Sequence, residues 1–193
     1  MDRLHWEMWC YGVLAVALVL SAVTDVRSGK IRNYVTYPAI AVGLLGHTLV
    51  SGLWPADDLR LGLLGSLGGF AAGFAPMLLA YLAGGIGGGD AKLMGAVGAL
   101  AGWRFAIAAM FYGFAVAAVM AVFVMLKHRV ARRTIARVAR FALLLATPSR
   151  PADPATPDSP KVAFGLALCI GAALALVEAM LQGPMAGKIL PGI

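Results

Sequence analysis

Long apolar runs, separated only by short charged segments, constrain this chain more than any other feature. The chain is 61% hydrophobic and 13% charged, whereas a soluble domain carries about 25% charged residues. The runs are too long and too numerous for a soluble core, so they read as helices in lipid, packed against the bilayer and one another. The expected fold class is an all-α integral membrane protein, a polytopic bundle of about six transmembrane helices forming one domain over residues 1–193.

Charge and residue type exclude several functions. The net charge is +7, but seven of the 16 Lys/Arg fall between Lys127 and Arg150, beside an apolar run. That is the signature of a cytoplasmic loop at a membrane, and it argues against nucleic acid as a partner. Cys10 and Cys169 form no C-x-x-C, and His5, His47 and His128 form no H-E-x-x-H, so no zinc module or metallopeptidase is expected. The two thiols are expected at different membrane depths, in apolar packing and without a disulfide.

The runs assign a topology. Met8 to Thr24 is the first span; its acidic flank is unlike the basic start of a signal peptide. Arg27, Lys30 and Arg32 follow it and place that loop in the cytoplasm, with the N-terminus outside. Tyr34 to Leu53 is the second span. Leu61 to Ala83 is the third, with Gly65, Gly69 and Gly73 as a small-residue packing face and Pro76 as a kink. Ala91 to Leu126 as one helix would be about 54 Å long against a hydrocarbon core of roughly 30 Å. A break at Ala101 to Arg104 ("AGWR") splits it into a short span, Ala91 to about Ala101, and a second, Phe105 to Leu126. Residues 127–160 then form a cytoplasmic stretch: an interfacial amphipathic helix or solvated basic loop to Ala146, then a proline-rich spacer. Val162 to Leu181 is the last span, and the tail lies outside. With this split, 12 of the 16 Lys/Arg share the cytoplasmic side.

Three carboxylates stand in or at the ends of spans: Asp25, Asp90 and Glu178. Acids at membrane depth are costly and are candidates for function. Glu178, near the outer end of the last span, reads as a headgroup contact. Asp25 and Asp90 share the cytoplasmic edge although 65 residues separate them in sequence. Two carboxylates brought together share a proton, so that one activates water and the other polarises a peptide carbonyl. Alone, each acid has a plainer role, Asp90 as a helix N-cap and Asp25 as a partner of Arg27 or Lys30. The run "GGIGGGDAKL", Gly84 to Leu93, supplies positive φ and close backbone approach; beside a catalytic acid it can admit an extended substrate strand, and otherwise it is a hinge. Lys92 points away from Asp90 and reads as a headgroup anchor.

"GGGD" at Gly87 to Asp90, followed by "AKL", resembles the G-x-G-D motif of intramembrane aspartic proteases and, within them, the type IV prepilin peptidases. "TDVRSGKIRNYVTYP", Thr24 to Pro38, is similar to that family's first-aspartate segment, with Arg32 where an Ile-Pro-Asn has proline. "KVAFGLALCIGA", Lys161 to Ala172, resembles the opening of the family's last helix, with Ala163 where proline is usual. The resemblance implies Asp25 and Asp90 as catalytic residues, with Gly87, Gly88, Gly89, Lys92 and Asn33 as the surrounding loop residues. It implies a prepilin substrate with a basic leader and an apolar helix, the lipid bilayer as the setting, and no metal or organic cofactor. Lacking the cysteine-rich segment of larger members, the chain is similar to the small TadV/CpaA branch serving Flp pili. The alternatives are a preflagellin-like leader peptidase and a non-catalytic transport or scaffold subunit.

Overall fold

The computed structural model describes residues 3–54, 61–127 and 163–182, with side chains from Trp9 onward. Its elements are helices: α1 Arg3–Ser28, α2 Asn33–Ser51, α3 Leu63–Leu82, α4 Gly88–Lys127 and α5 Phe164–Gln182. Each is long and apolar enough to cross a membrane, and no strand occurs among the described residues. The chain is an all-α, multi-pass membrane protein. Described residues up to Val116, together with α5, form one compact unit; Ala117 to Lys127 belong to a second. The basic segment after Lys127, the proline-rich spacer, most of the loop after Trp54 and the tail after Gln182 lie outside the described residues.

α1 outlasts its expected end by four residues, which keeps Asp25 inside its last turn. Gly29, with φ 63, closes the helix and donates its N–H to the Asp25 carbonyl at 2.7 Å. This is the left-handed stop that glycine permits at a helix C-terminus.

α4 is where the chain departs from a simple bundle. Gly102, with φ 84 and ψ 172, breaks it inside the "AGWR" stretch expected to break. This backbone region is open essentially to glycine alone. The first arm, residues 88–101, starts beside α5 at Asp90 and ends where His47 of α2 meets the Leu100 carbonyl. The second arm starts with Phe105 against Tyr11, near the end of α1 remote from Asp25 (ring centroids 6.3 Å). It then runs back along α5, with Gly113 against Leu168 and Phe114 against Phe164 (centroids 5.9 Å). The two arms therefore point in opposite directions, as the two-span reading required.

The first arm is about 21 Å long, short of a hydrocarbon core of roughly 30 Å. It is shielded by protein: Ala91, Leu93, Met94, Ala96, Val97, Ala99 and Leu100 are all buried. Glycines make this enclosure. Gly69 and Gly73 of α3 lie against the Gly98 and Met94 backbone, and a Cβ on Gly43 of α2 would meet Ala99 at 2.9 Å. The small-residue face of α3 is thus Ser66, Gly69 and Gly73. Gly65, expected on it, faces the Leu61 side chain instead, and Ser66 takes that place against the first arm through its hydroxyl.

The break at Gly102 also removes N–H partners from the last carbonyls of the first arm. Side chains of the neighbouring helices replace them. The Ser66 hydroxyl donates to the Ala99 carbonyl at 2.6 Å, and His47 Nε2 donates to the Leu100 carbonyl at 3.0 Å. Both side chains are buried, so irregular backbone is tolerated here because protein satisfies it. Cys10 Sγ lies 3.7 Å from His47 Nε2, and Cys10 and Cys169 are both buried.

Candidate active site

The end of the bundle opposite the Gly102 break holds the two acids. Asp25 projects from the last turn of α1 and Asp90 from the first turn of α4; both are buried, at 7% and 8% exposure. Asp90 is the third residue of α4, and its Oδ2 accepts the Gly87 N–H at 3.1 Å. This is the returning half of a capping box. The plainer reading of Asp90 is therefore partly met, by a first-turn carboxylate reaching back and not by an N-cap. Only Oδ2 is used in this way, and Oδ1 faces α5.

Asp25 is held from α5. Its Oδ2 accepts the Leu166 N–H at 2.7 Å, one of the donors that a helix N-terminus leaves unpaired. The expected pairing of Asp25 with Arg27 or Lys30 is not what holds it. The N–H comes from a helix 141 residues away, and both cations are exposed.

Gly165 brings the two acids to one place. A Cβ built on it would lie 2.8 Å from Asp25 Cγ, 2.9 Å from Asp25 Oδ2 and 3.0 Å from Asp90 Oδ1. One point thus touches both carboxylates, and their oxygens are no farther apart than those last two distances laid end to end. Such a pair can hold one proton between them and bind a water or a carbonyl oxygen at hydrogen-bond distance.

Residues 12–122 match the model of the type IV leader peptidase family. The chain belongs to the type IV leader peptidase family. The match covers both aspartates and ends before α5. The prepilin leader peptidase/N-methyltransferase of Bacillus subtilis (strain 168) is 32% identical over 127 residues, covering 66% of this chain and 49% of that protein. The chain thus spans about half the length of the curated relative it matches. No solved structure matches.

In this leader peptidase family member the glycine run does less, and different, work than its sequence implied. Of Gly84 to Gly89 only Gly84, at φ 78, takes a positive φ. Gly87 lies against Asp90 Oδ2, and Gly88 against the Tyr81 ring. The close backbone approach expected of the run occurs at Gly89, where a Cβ would meet the Ile31 carbonyl at 2.9 Å. At Gly89 the space for a strand is taken by the protein's own α1–α2 connection. Gly84 and Gly85 are exposed.

Lys92 and Asn33 meet: Lys92 Nζ donates to Asn33 Oδ1 at 3.0 Å and sits 4.8 Å from the Tyr37 ring centroid. Its ammonium is tied to α2. Together with the Gly89–Ile31 contact, this clamps the start of α2 to the turn that carries Asp90. Glu178, read as a headgroup contact, accepts the Tyr112 hydroxyl at 2.6 Å. Gly165 and Leu166 escaped the sequence reading. The one available signal was a glycine in the opening turn of an apolar span, which marks close approach but not what approaches. Among the described residues no group of three or more His, Cys, Asp or Glu is placed to hold a metal ion.

Proposed function

We propose that this chain is a membrane-embedded aspartic endopeptidase that removes the basic leader from type IV prepilins of the Flp (Tad) class. The observation that carries the reading is the convergence of Asp25 and Asp90 on Gly165. Family membership and the similarity to a prepilin leader peptidase support the substrate class. The G-x-G-D sequence at Gly87 to Asp90 supports the aspartic mechanism. Cleavage occurs at the cytoplasmic face of the inner membrane, a placement supported by the exposed cations Arg27, Lys30 and Arg32 at the Asp25 end.

In this mechanism one carboxylate, ionised, takes a proton from water as it attacks the scissile carbonyl. The other, protonated, donates to the carbonyl oxygen. As the intermediate collapses, the first returns a proton to the leaving nitrogen. The backbone N–H groups of Gly87 and Leu166 fix one oxygen of each acid and leave the rest of the pair to the substrate. The prepilin's apolar helix lies in lipid while its basic leader stays in the cytoplasm, so the scissile bond arrives at the depth of the acids.

The test is leader removal from a prepilin with a basic leader and an apolar helix, co-expressed in membranes with the wild type, Asp25→Asn or Asp90→Asn. Processing by the wild type and loss in both variants is expected. No processing by the wild type would favour a transport or scaffold role, and processing only of a preflagellin leader would move the substrate class.

A further inference from the structure

We propose that Gly165 is a positioning residue: its missing side chain is what lets Asp25 and Asp90 close on one another. The proposal rests on the peptidase reading for its consequence in catalysis, and on geometry alone for its structural part. Cβ contacts under 3.0 Å do not occur in relaxed proteins, and here a Cβ would lie 2.8 Å from Asp25 Cγ and 2.9 Å from Asp25 Oδ2. Nor can Asp25 yield easily. It is buried, in the last turn of α1, and its Oδ2 is tied to the Leu166 N–H, the residue beside Gly165. The hydrogen bond pulls the carboxylate onto the helix start, and the bare Cα of Gly165 gives it room to arrive. Asp90 is held in the same way from its other side, with Oδ2 on the Gly87 N–H and Oδ1 against Gly165. A methyl at 165 stands between the acids and moves at least one of them.

The position is unusual in what it trades away. Gly165 lies in the first turn of α5, and alanine is a better helix former than glycine. Other glycines of this bundle meet backbone or apolar side chains: Gly69 meets Gly98, Gly73 meets Met94, and Gly171 meets Gly113. They serve helix packing. Gly165 alone, among the described glycines, has both acids as its neighbours.

The experiment uses the full chain in membranes and compares the wild type with Gly165→Ala. Gly68→Ala is the control, because a Cβ there meets nothing within 4 Å. Gly165→Ala should lower kcat for prepilin processing about 100-fold, as expected for an ångström-scale misplacement of catalytic groups. KM should stay within about twofold, since uniform binding of the substrate is untouched. Gly68→Ala should process like the wild type.

A second measurement, Tm in detergent, needs no activity. Gly165→Ala should lower Tm in the wild-type background and regain most of that loss in the Asp25→Ala background, where the clashing carboxylate is gone. This cycle still decides the point if Gly165→Ala folds poorly, or if the wild type cleaves nothing and the peptidase reading has failed by itself. Wild-type kcat in Gly165→Ala, or a Tm loss that is unchanged by Asp25→Ala, would overturn the proposal.

Discussion

At Gly87 to Asp90 the fourth helix begins, and at Gly102 its first arm stops; the bundle treats these two termini differently. At the start, the N–H groups are met by carboxylates: Asp90 returns to Gly87, and across the gap Asp25 takes the Leu166 N–H of α5. At the stop, the carbonyls are met by neutral donors, the Ser66 hydroxyl and the His47 ring. Each choice follows the sign of the helix terminus. The difference lies in what is left over. Ser66 and His47 are given to a carbonyl each, whereas Asp90 keeps an oxygen directed at its partner acid beside Gly165. One end closes the backbone; the other closes it and turns a carboxylate oxygen toward its partner acid.

The comparison breaks most sharply on activity. Asp90→Asn should reduce leader processing about a thousandfold while leaving Tm nearly unmoved, since an amide oxygen still accepts the Gly87 N–H. A large Tm loss with processing retained per folded molecule would reverse the roles of the two ends. Next in size is the packing around the first arm. Gly69→Val forces a branched side chain into the Gly98 backbone and should cost about 3 kcal/mol, read as loss of folded protein in a detergent thermal scan.

The break itself ranks third. Gly102→Ala puts a Cβ on a residue at φ 84 and should cost about 1–3 kcal/mol. Ser66→Ala leaves the buried Ala99 carbonyl short of a donor, a cost of the same order, about 1–3 kcal/mol. Both should lower Tm and leave kcat per folded molecule near wild type; a kcat collapse without a Tm change would mean that this end takes part in the reaction. The smallest effect is expected at Lys92→Met. It removes the hydrogen bond to Asn33 and the contact with Tyr37, and should cost about 0.5–1 kcal/mol, measured as a small Tm shift.

Much of the fold was legible because bilayer length and apolarity set where helices lie. The 36-residue run from Ala91 to Leu126 is too long for one crossing, and "AGWR" offers a Trp and an Arg suited to an interface, which places the break where Gly102 reverses the chain. Shared depth likewise paired Asp25 with Asp90. What the sequence could not carry was the partner of each polar group. Leu166 is 141 residues from Asp25, Leu100 is 53 from His47, and Glu178 is 66 from Tyr112. Helix rotation in the packed bundle sets these meetings, and no local period records it. The same gap explains Gly65, one residue off the stripe that faces the first arm, and Gly165, whose glycine was visible but whose neighbours were not.

The central claim is that Asp25 and Asp90 act as one unit, and a double-variant comparison of prepilin processing tests it most directly. Rates would be measured for the wild type, Asp25→Asn, Asp90→Asn and the variant carrying both. Groups that act together lose nearly everything when either is removed, so the double variant should be no slower than each single one. Substantial processing by either single variant, or losses that multiply in the double, would contradict the account.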